Sequence, residues 1–216
     1  TISLRESLAK RRGSGLTPVI GEFKRSSPSG FKLAHGISIA QYLQGLADLK
    51  VAGISVLTEP KHFLGSYSDL TAAQDLRLPL LAKDFISTKE MIQSSYNAGA
   101  DAILLIADFL PGSEIRKLAG YAGKLGMESL VEFHDPGFLV NYEACDTCLL
   151  GYNRRNLITM RIEDNTGTVL EQMRKIASPR VLESGLTYGT IDPHLVEEFD
   201  GFLIGTSLLN TQGATR

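Results

Sequence analysis

Two lysines and three carboxylates stand where short apolar runs break off. "VIGEFK" leaves Glu22 and Lys24 behind Val19 and Ile20, "LPLLAK" ends on Lys83, "LVEF" carries Glu132 and "RVLE" ends on Glu183. Asn153 and Arg155 follow the run "CLLGY" in the same way. Lysines and carboxylates gathered at one mouth push one another's proton affinities apart, which provides an acid and a base near neutral pH. The chemistry expected is proton transfer. One strand-end charge is ordinarily a solvated loop residue, so this chemistry needs a fold that brings the ends together.

A second group points to an anion. "ESGL" at 183–186 and "IGTSLL" at 204–209 each put glycine beside serine just after an apolar run. Glycine lets the backbone approach closely, and amides at a helix start donate to an anion. Ser184, Gly185, Gly205 and Ser207 are therefore candidate phosphate contacts, with Lys24 or Lys83 supplying positive charge. A phosphorylated small molecule is the expected ligand.

Metal chemistry has little support. The histidines His35, His62, His134 and His194 are scattered, and no H-E-x-x-H occurs. His134 reads as a loop or helix-entry residue and Asp135 as a helix N-cap. Cys145 and Cys148 form a C-x-x-C with no second ligand pair to complete a zinc site, so structural or incidental thiols are expected.

The elements that must position these groups repeat one theme: a short apolar run, a loop, then helical spacing. Strands are expected near 18–24, 53–58, 79–83, 101–106, 128–133, 148–152, 179–183 and 200–205. Helices fit "SIAQYLQGLADLK", "STKEMIQSSYNAG", "SEIRKLAGYAGKLG" and "TVLEQMRKIA", with Ser87 and Ser113 as N-caps and Gly99 and Gly126 as stops. Alternation implies parallel strands with right-handed crossovers, and "AILLI" is apolar at successive positions, as a strand buried on both faces requires. The expected fold is α/β, a (β/α)₈ barrel over 1–216 with residues 1–17 as a helical pre-barrel extension; an open doubly wound sheet is the alternative. Such barrels place their chemistry at the carboxyl ends of the strands and hold phosphate after strands 7 and 8.

Composition narrows the partners. The 216 residues are 43% hydrophobic and 21% charged with a net charge of -2, so no global basic field recruits nucleic acid or a membrane. With no signal pattern and no apolar run of spanning length, a cytoplasmic location is expected.

Eight segments carry a resemblance. "GEFKRSSPSG", "SVLTEPKHFLGSYSDL", "LPLLAKDFI", "GADAILLIADFL", "LVEFHD", "YNRRNL", "LESG" and "GFLIGTSL" follow one another across about residues 19–209, and together they resemble the indole-3-glycerol phosphate synthase family. The resemblance implies cyclisation, decarboxylation and dehydration of 1-(2-carboxyphenylamino)-1-deoxyribulose 5-phosphate, with no cofactor or metal. It implies tryptophan-pathway enzymes as candidate partners.

Residue by residue, the resemblance makes Lys83 the acid at the ribulose carbonyl oxygen. Glu132 becomes the carboxylate of rearomatisation and dehydration, and Lys24 a contact to substrate anions that assists loss of the hydroxyl. Glu22 positions Lys83, while Asn153 and Glu183 contact the sugar and the reacting centre. Ser184, Gly185, Gly205 and Ser207 hold phosphate. Ser27, Pro28, Phe85, Leu104, Ile106 and Leu157 wall the aromatic pocket, Leu104 and Ile106 being equally suited to the barrel core.

The chain departs from the family pattern at Tyr152, usually a smaller aliphatic, and at Asn156, usually Asp. One candidate helix precedes strand 1 where the family carries a longer capping segment, so a reduced lid is expected. A phosphoribosyl isomerase or tryptophan synthase α-type barrel would share the phosphate loops without needing Lys24, Lys83 and Glu132 together. A non-catalytic barrel subunit would lack the acids.

Overall fold

The structure, a computed structural model, describes residues 1–28, 30–33, 36–205, 207 and 208. Among these, eight parallel strands close into a barrel in sequence order: β1 Val19–Phe23, β2 Gly53–Leu57, β3 Leu80–Lys83, β4 Ala102–Ile106, β5 Glu128–Phe133, β6 Cys148–Asn153, β7 Arg180–Glu183 and β8 Gly201–Ile204. β8 pairs back onto β1 through Val19↔Phe202 and Gly21↔Ile204. The open doubly wound sheet is thereby excluded.

Strand side chains alternate between two cores. Ile20, Leu81, Leu104, Leu130, Leu149, Val181 and Leu203 fill the barrel. Val19, Phe23, Leu80, Ala82, Leu105, Val131 and Phe133 pack outward against the helices. Because the period is two, the last inward position of a strand falls at the mouth, and there the sequence changes from apolar to Glu22, Lys83, Glu132, Asn153 and Glu183. The break from apolar to charged residues therefore marks where the barrel interior meets the ligand space.

The helices are α1 Leu4–Gly13, α2 Ile39–Asp48, α3 Tyr67–Ala73, α4 Lys89–Asn97, α5 Gly112–Lys124, α6 Thr166–Met173 and α7 Pro193–Glu198. Between β5 and β6 the chain makes only a 3₁₀ turn, Pro136–Asn141, whose N-cap is Asp135 as expected. Two other caps differ from expectation. Thr88, not Ser87, accepts the Met91 N–H at the start of α4, and α5 begins behind Pro111 with no side-chain cap, leaving Ser113 inside the helix. Past β8, "SLLNTQGATR" at 207–216 has room for barely two turns of helix, and most of it lies outside the described residues.

The cysteines also depart from expectation. Cys145 and Cys148 are joined as a disulfide at the entrance to β6 rather than standing as free thiols.

The pre-barrel helix α1 does not approach the polar mouth. It crosses the opposite end of the barrel, with Leu4 and Leu8 buried among the interior residues. Gly53 makes room, since a Cβ there would come within 2.7 Å of Leu4 Cδ1. Glu128 accepts the Leu4 and Arg5 N–H groups and the Ser3 hydroxyl, and Arg12 reaches Asp200 at 2.9 Å. Truncating this plug should be costly: Leu8→Ala is expected to destabilise by about 3 kcal/mol through lost burial and a cavity, read as a lowered urea midpoint with unchanged m-value.

Candidate active site

Lys83 is the hub of the mouth. Its Nζ lies 3.3 Å from Glu183 Oε2, 3.4 Å from Glu22 Oε2 and 3.8 Å from Glu132 Oε2. Lys24 Nζ takes the other Glu22 oxygen at 2.7 Å and stands 5.5 Å from the Phe31 ring centre. Asn153 Nδ2 donates to Glu132 Oε1 at 3.0 Å, while Asn153 Oδ1 accepts the Arg155 N–H. Gly205 sits against this cluster because nothing larger fits: a Cβ would lie 2.6 Å from Glu22 Oε1 and 3.1 Å from Lys24 Nζ.

Burial sharpens these contacts into distinct proton affinities. Burial alone would raise the Glu22 carboxyl, yet Lys24 and Lys83 outweigh it and hold Glu22 at about 2. Burial alone would strip Lys83 of its proton, yet Glu183, Glu22 and Glu132 keep it charged well above its ordinary range. Glu183 goes the other way: burial, then the neighbouring Glu132 charge, push it well above a usual carboxyl. Three carboxylates, Glu22, Glu132 and Glu183, face the two ammonium groups of Lys24 and Lys83, and Glu183, the most buried of the three, is the one pushed up.

The Glu22 shift predicts an acid limb. A carboxyl whose folded value is lowered from 4.5 to about 2 contributes stability present above 4.5 and lost as pH falls toward 2. Wild type and Glu22→Gln should therefore differ by roughly 3 kcal/mol at pH 6 and converge on acidification. Urea midpoints at pH 6, 4 and 3 read this; a gap that does not narrow refutes it.

The cavity above the cluster has a volume of about 460 Å³. It takes in almost every residue the sequence singled out: Glu22, Lys24, Lys83, Glu132, Asn153 and Arg155, with Ser27, Pro28, Phe85, Leu104, Ile106 and Leu157 in the walls and Ser184, Gly185, Gly205 and Ser207 at one side. Glu183 lies beneath, its carboxylate against Lys83. Leu104 and Ile106 serve both purposes left open for them, packing in the barrel core and lining the cavity. Phe85 is half-exposed at the rim, with its ring 5.9 Å from that of Phe109.

Ser207, at the cavity side, is also tied to the loop after β7. Its hydroxyl donates to the Leu186 carbonyl at 3.0 Å and accepts the Tyr188 N–H at 3.1 Å, so it fastens the loop after β7. The two departures are accommodated locally. Tyr152 is buried against Phe133 outside the barrel, and Asn156 Oδ1 accepts the Ile158 and Thr159 N–H groups to fold the loop after β6.

Several wall residues escaped the sequence reading, among them Leu57, Glu59, Phe63 and Asp84. Glu59 has a structural duty: its carboxylate accepts the N–H groups of Lys61, His62 and Phe63 at 2.9, 2.6 and 3.0 Å, which turns the loop so that Phe63 enters the wall. A carboxylate two to four residues ahead of the amides it binds was the available signal. Burial raises Asp84 above its ordinary value, although the Thr58 hydroxyl and the Phe85 N–H bind its carboxylate.

A closed parallel barrel whose charged strand ends converge on one cavity at the carboxyl mouth has the architecture of a (β/α)₈-barrel enzyme. The solved tryptophan synthase α subunit from Legionella pneumophila str. Paris shares the fold, with a TM-score of 0.67 at 14% identity over 97% of this chain and 88% of its own. Sequence narrows the class: the family model for indole-3-glycerol phosphate synthase matches residues 1–216. Curated indole-3-glycerol phosphate synthases from Thermoplasma acidophilum and Thermoplasma volcanium are 38% and 39% identical, covering 99% and 98% of this chain and 86% of each relative. The chain belongs to the indole-3-glycerol phosphate synthase family and is a carboxy-lyase.

Proposed function

We propose that Lys83, Glu132 and Lys24 divide the proton transfers by which 1-(2-carboxyphenylamino)-1-deoxyribulose 5-phosphate becomes indole-3-glycerol phosphate. The observation that carries the assignment is the Lys83 ammonium, held charged within 3.8 Å of three carboxylates at the cavity floor. A weak carbon nucleophile attacking a ketone needs an acid at the oxygen, and Lys83 supplies that proton as the aromatic ring closes. The ring is then a cation, and loss of carbon dioxide restores its aromaticity. Glu132 takes the carbon-bound proton whose removal completes the indole, while Lys24 protonates the departing hydroxyl as water.

The remaining groups tune these steps. A proton on Glu183 removes the largest of the carboxylate attractions on Lys83, bringing its affinity nearer the operating pH, where acids work best. Glu22 holds Lys24 and Lys83 on its two oxygens. Asn153 orients Glu132, and Ser184, Gly185 and Gly205 receive the phosphate. Holding the ring over the carbonyl adds further acceleration through orientation.

The test is fluorescence-monitored conversion of the carboxyphenylamino-deoxyribulose phosphate by purified protein. Appearance of an indole product is the expected result; a folded protein that binds the substrate without forming indole would sink the assignment.

A further inference from the structure

We propose that Arg154 is a positioning residue for the substrate phosphate, aiming the Gly185 amide into the cavity through its grip on the Ser184 carbonyl; the proposal rests on the phosphorylated substrate proposed above. The sequence drew attention to Arg155, whose Nη1 donates to the Met160 carbonyl at the rim. Arg154 is the more buried neighbour, with a side chain 9% exposed. Its Nε and Nη2 both donate to Ser184 O, at 3.0 and 2.8 Å, and its Nη1 donates to Asp164 Oδ2 at 3.2 Å. The planar fork of a guanidinium makes this three-donor grip possible.

The grip has a fixed base. Asp164 Oδ1 accepts the Thr166 hydroxyl at 2.6 Å and the Thr166 N–H at 3.2 Å, at the start of α6. Arg154 therefore ties the ends of β6 and β7 to α6.

The consequence follows from peptide geometry. The Ser184–Gly185 bond is trans, so its carbonyl and its N–H point in opposite directions. With the carbonyl turned back onto Arg154, the Gly185 N–H points away from it, and Gly185 lines the cavity. Among the described residues no protein acceptor takes this N–H. The turn is one that serine resists: φ is +67° at Ser184 and +63° at Gly185. Two charged hydrogen bonds on the Ser184 carbonyl offset that resistance. The guanidinium also sets its positive charge behind the amide that would meet the phosphate.

Arg154→Met keeps the apolar stem and removes the donors. KM for the phosphorylated substrate is expected to rise about tenfold, and the inhibition constant of inorganic phosphate by a similar factor, while kcat changes less than about threefold. Arg154→Lys should recover only part, because an ammonium cannot hold the carbonyl and Asp164 in one plane. Unchanged KM and phosphate inhibition in a folded Met variant overturn the proposal, as does a loss confined to kcat.

The wild type gives a readout that survives misfolding of either variant. The ¹⁵N-labelled Gly185 amide proton is expected to shift downfield on titration with inorganic phosphate; phosphate binding that leaves it unmoved overturns the proposal. A wild type that shifts Gly185 yet forms no indole from its substrate refutes the reaction and supports this role of Arg154. Indole formation with an unmoved Gly185 does the reverse.

Discussion

Lys83→Ala is expected to lower turnover by on the order of 10²-fold or more while the barrel still folds, because strand-end residues at this face carry chemistry more than stability. The variant should also acquire a distinctive pH response. Removing Lys83 leaves Glu132 and Glu183 buried beside each other with no ammonium between them, since the carboxylate that Lys24 pairs with among the described residues is Glu22. Glu183, already pushed above the ordinary carboxyl value, then rises further because the Lys83 charge that lowers it is gone. Carboxyls raised in this way weaken the fold as pH climbs through and above the unfolded value, so the variant should lose stability between pH 5 and 8 relative to wild type. Single-turnover rates and urea midpoints across that range read both effects. Near-native turnover would remove Lys83 from the mechanism, and a flat stability difference would refute the charge balance drawn for the site.

Glu132→Gln should cost a comparable factor in turnover with little change in substrate binding. The substitution keeps the shape and the contact with Asn153 Nδ2 through the amide oxygen, but removes the base. An interaction used only in the transition state lowers kcat and kcat/KM together; a rise in KM alone would assign Glu132 to uniform binding. Glu132 and Lys83 are in contact, so the double variant should lose much less than the product of the two single losses.

The barrel was legible because its signals are local and repeated. "AILLI" and "CLLGY" mark Ala102–Ile106 and Cys148–Asn153 to within a residue, since a strand buried on both faces tolerates no polar position until it reaches the mouth. The polar ends were legible for the same reason, and Glu22, Lys83, Glu132 and Asn153 do converge.

What stayed hidden depends on contacts between distant positions or on small backbone choices. Ser87 and Thr88 can both cap a helix, and only the path of the preceding loop selects Thr88. The ties of the Ser207 hydroxyl to a carbonyl and an amide of the loop after β7 join positions about 20 residues apart. Arg154 acts on a carbonyl 30 residues further along, which no local pattern encodes. The position of α1 was equally unreadable, because a mostly polar helix with two leucines ahead of β1 fits either end of a barrel.

That position gives the molecule an order of assembly during synthesis. α1 leaves the ribosome ahead of β1 to β8, yet Glu128 and Asp200, which bind Ser3 and Arg12, follow 125 and 188 residues later. At roughly 5 to 20 residues per second the first helix waits on the order of ten seconds or more for its last partner. Through that interval Leu4 and Leu8 have no barrel interior to enter, and the nascent chain carries an exposed apolar face that a chaperone could hold. Docking of α1 is then the closing event, and the floor of the barrel is laid only after its walls stand.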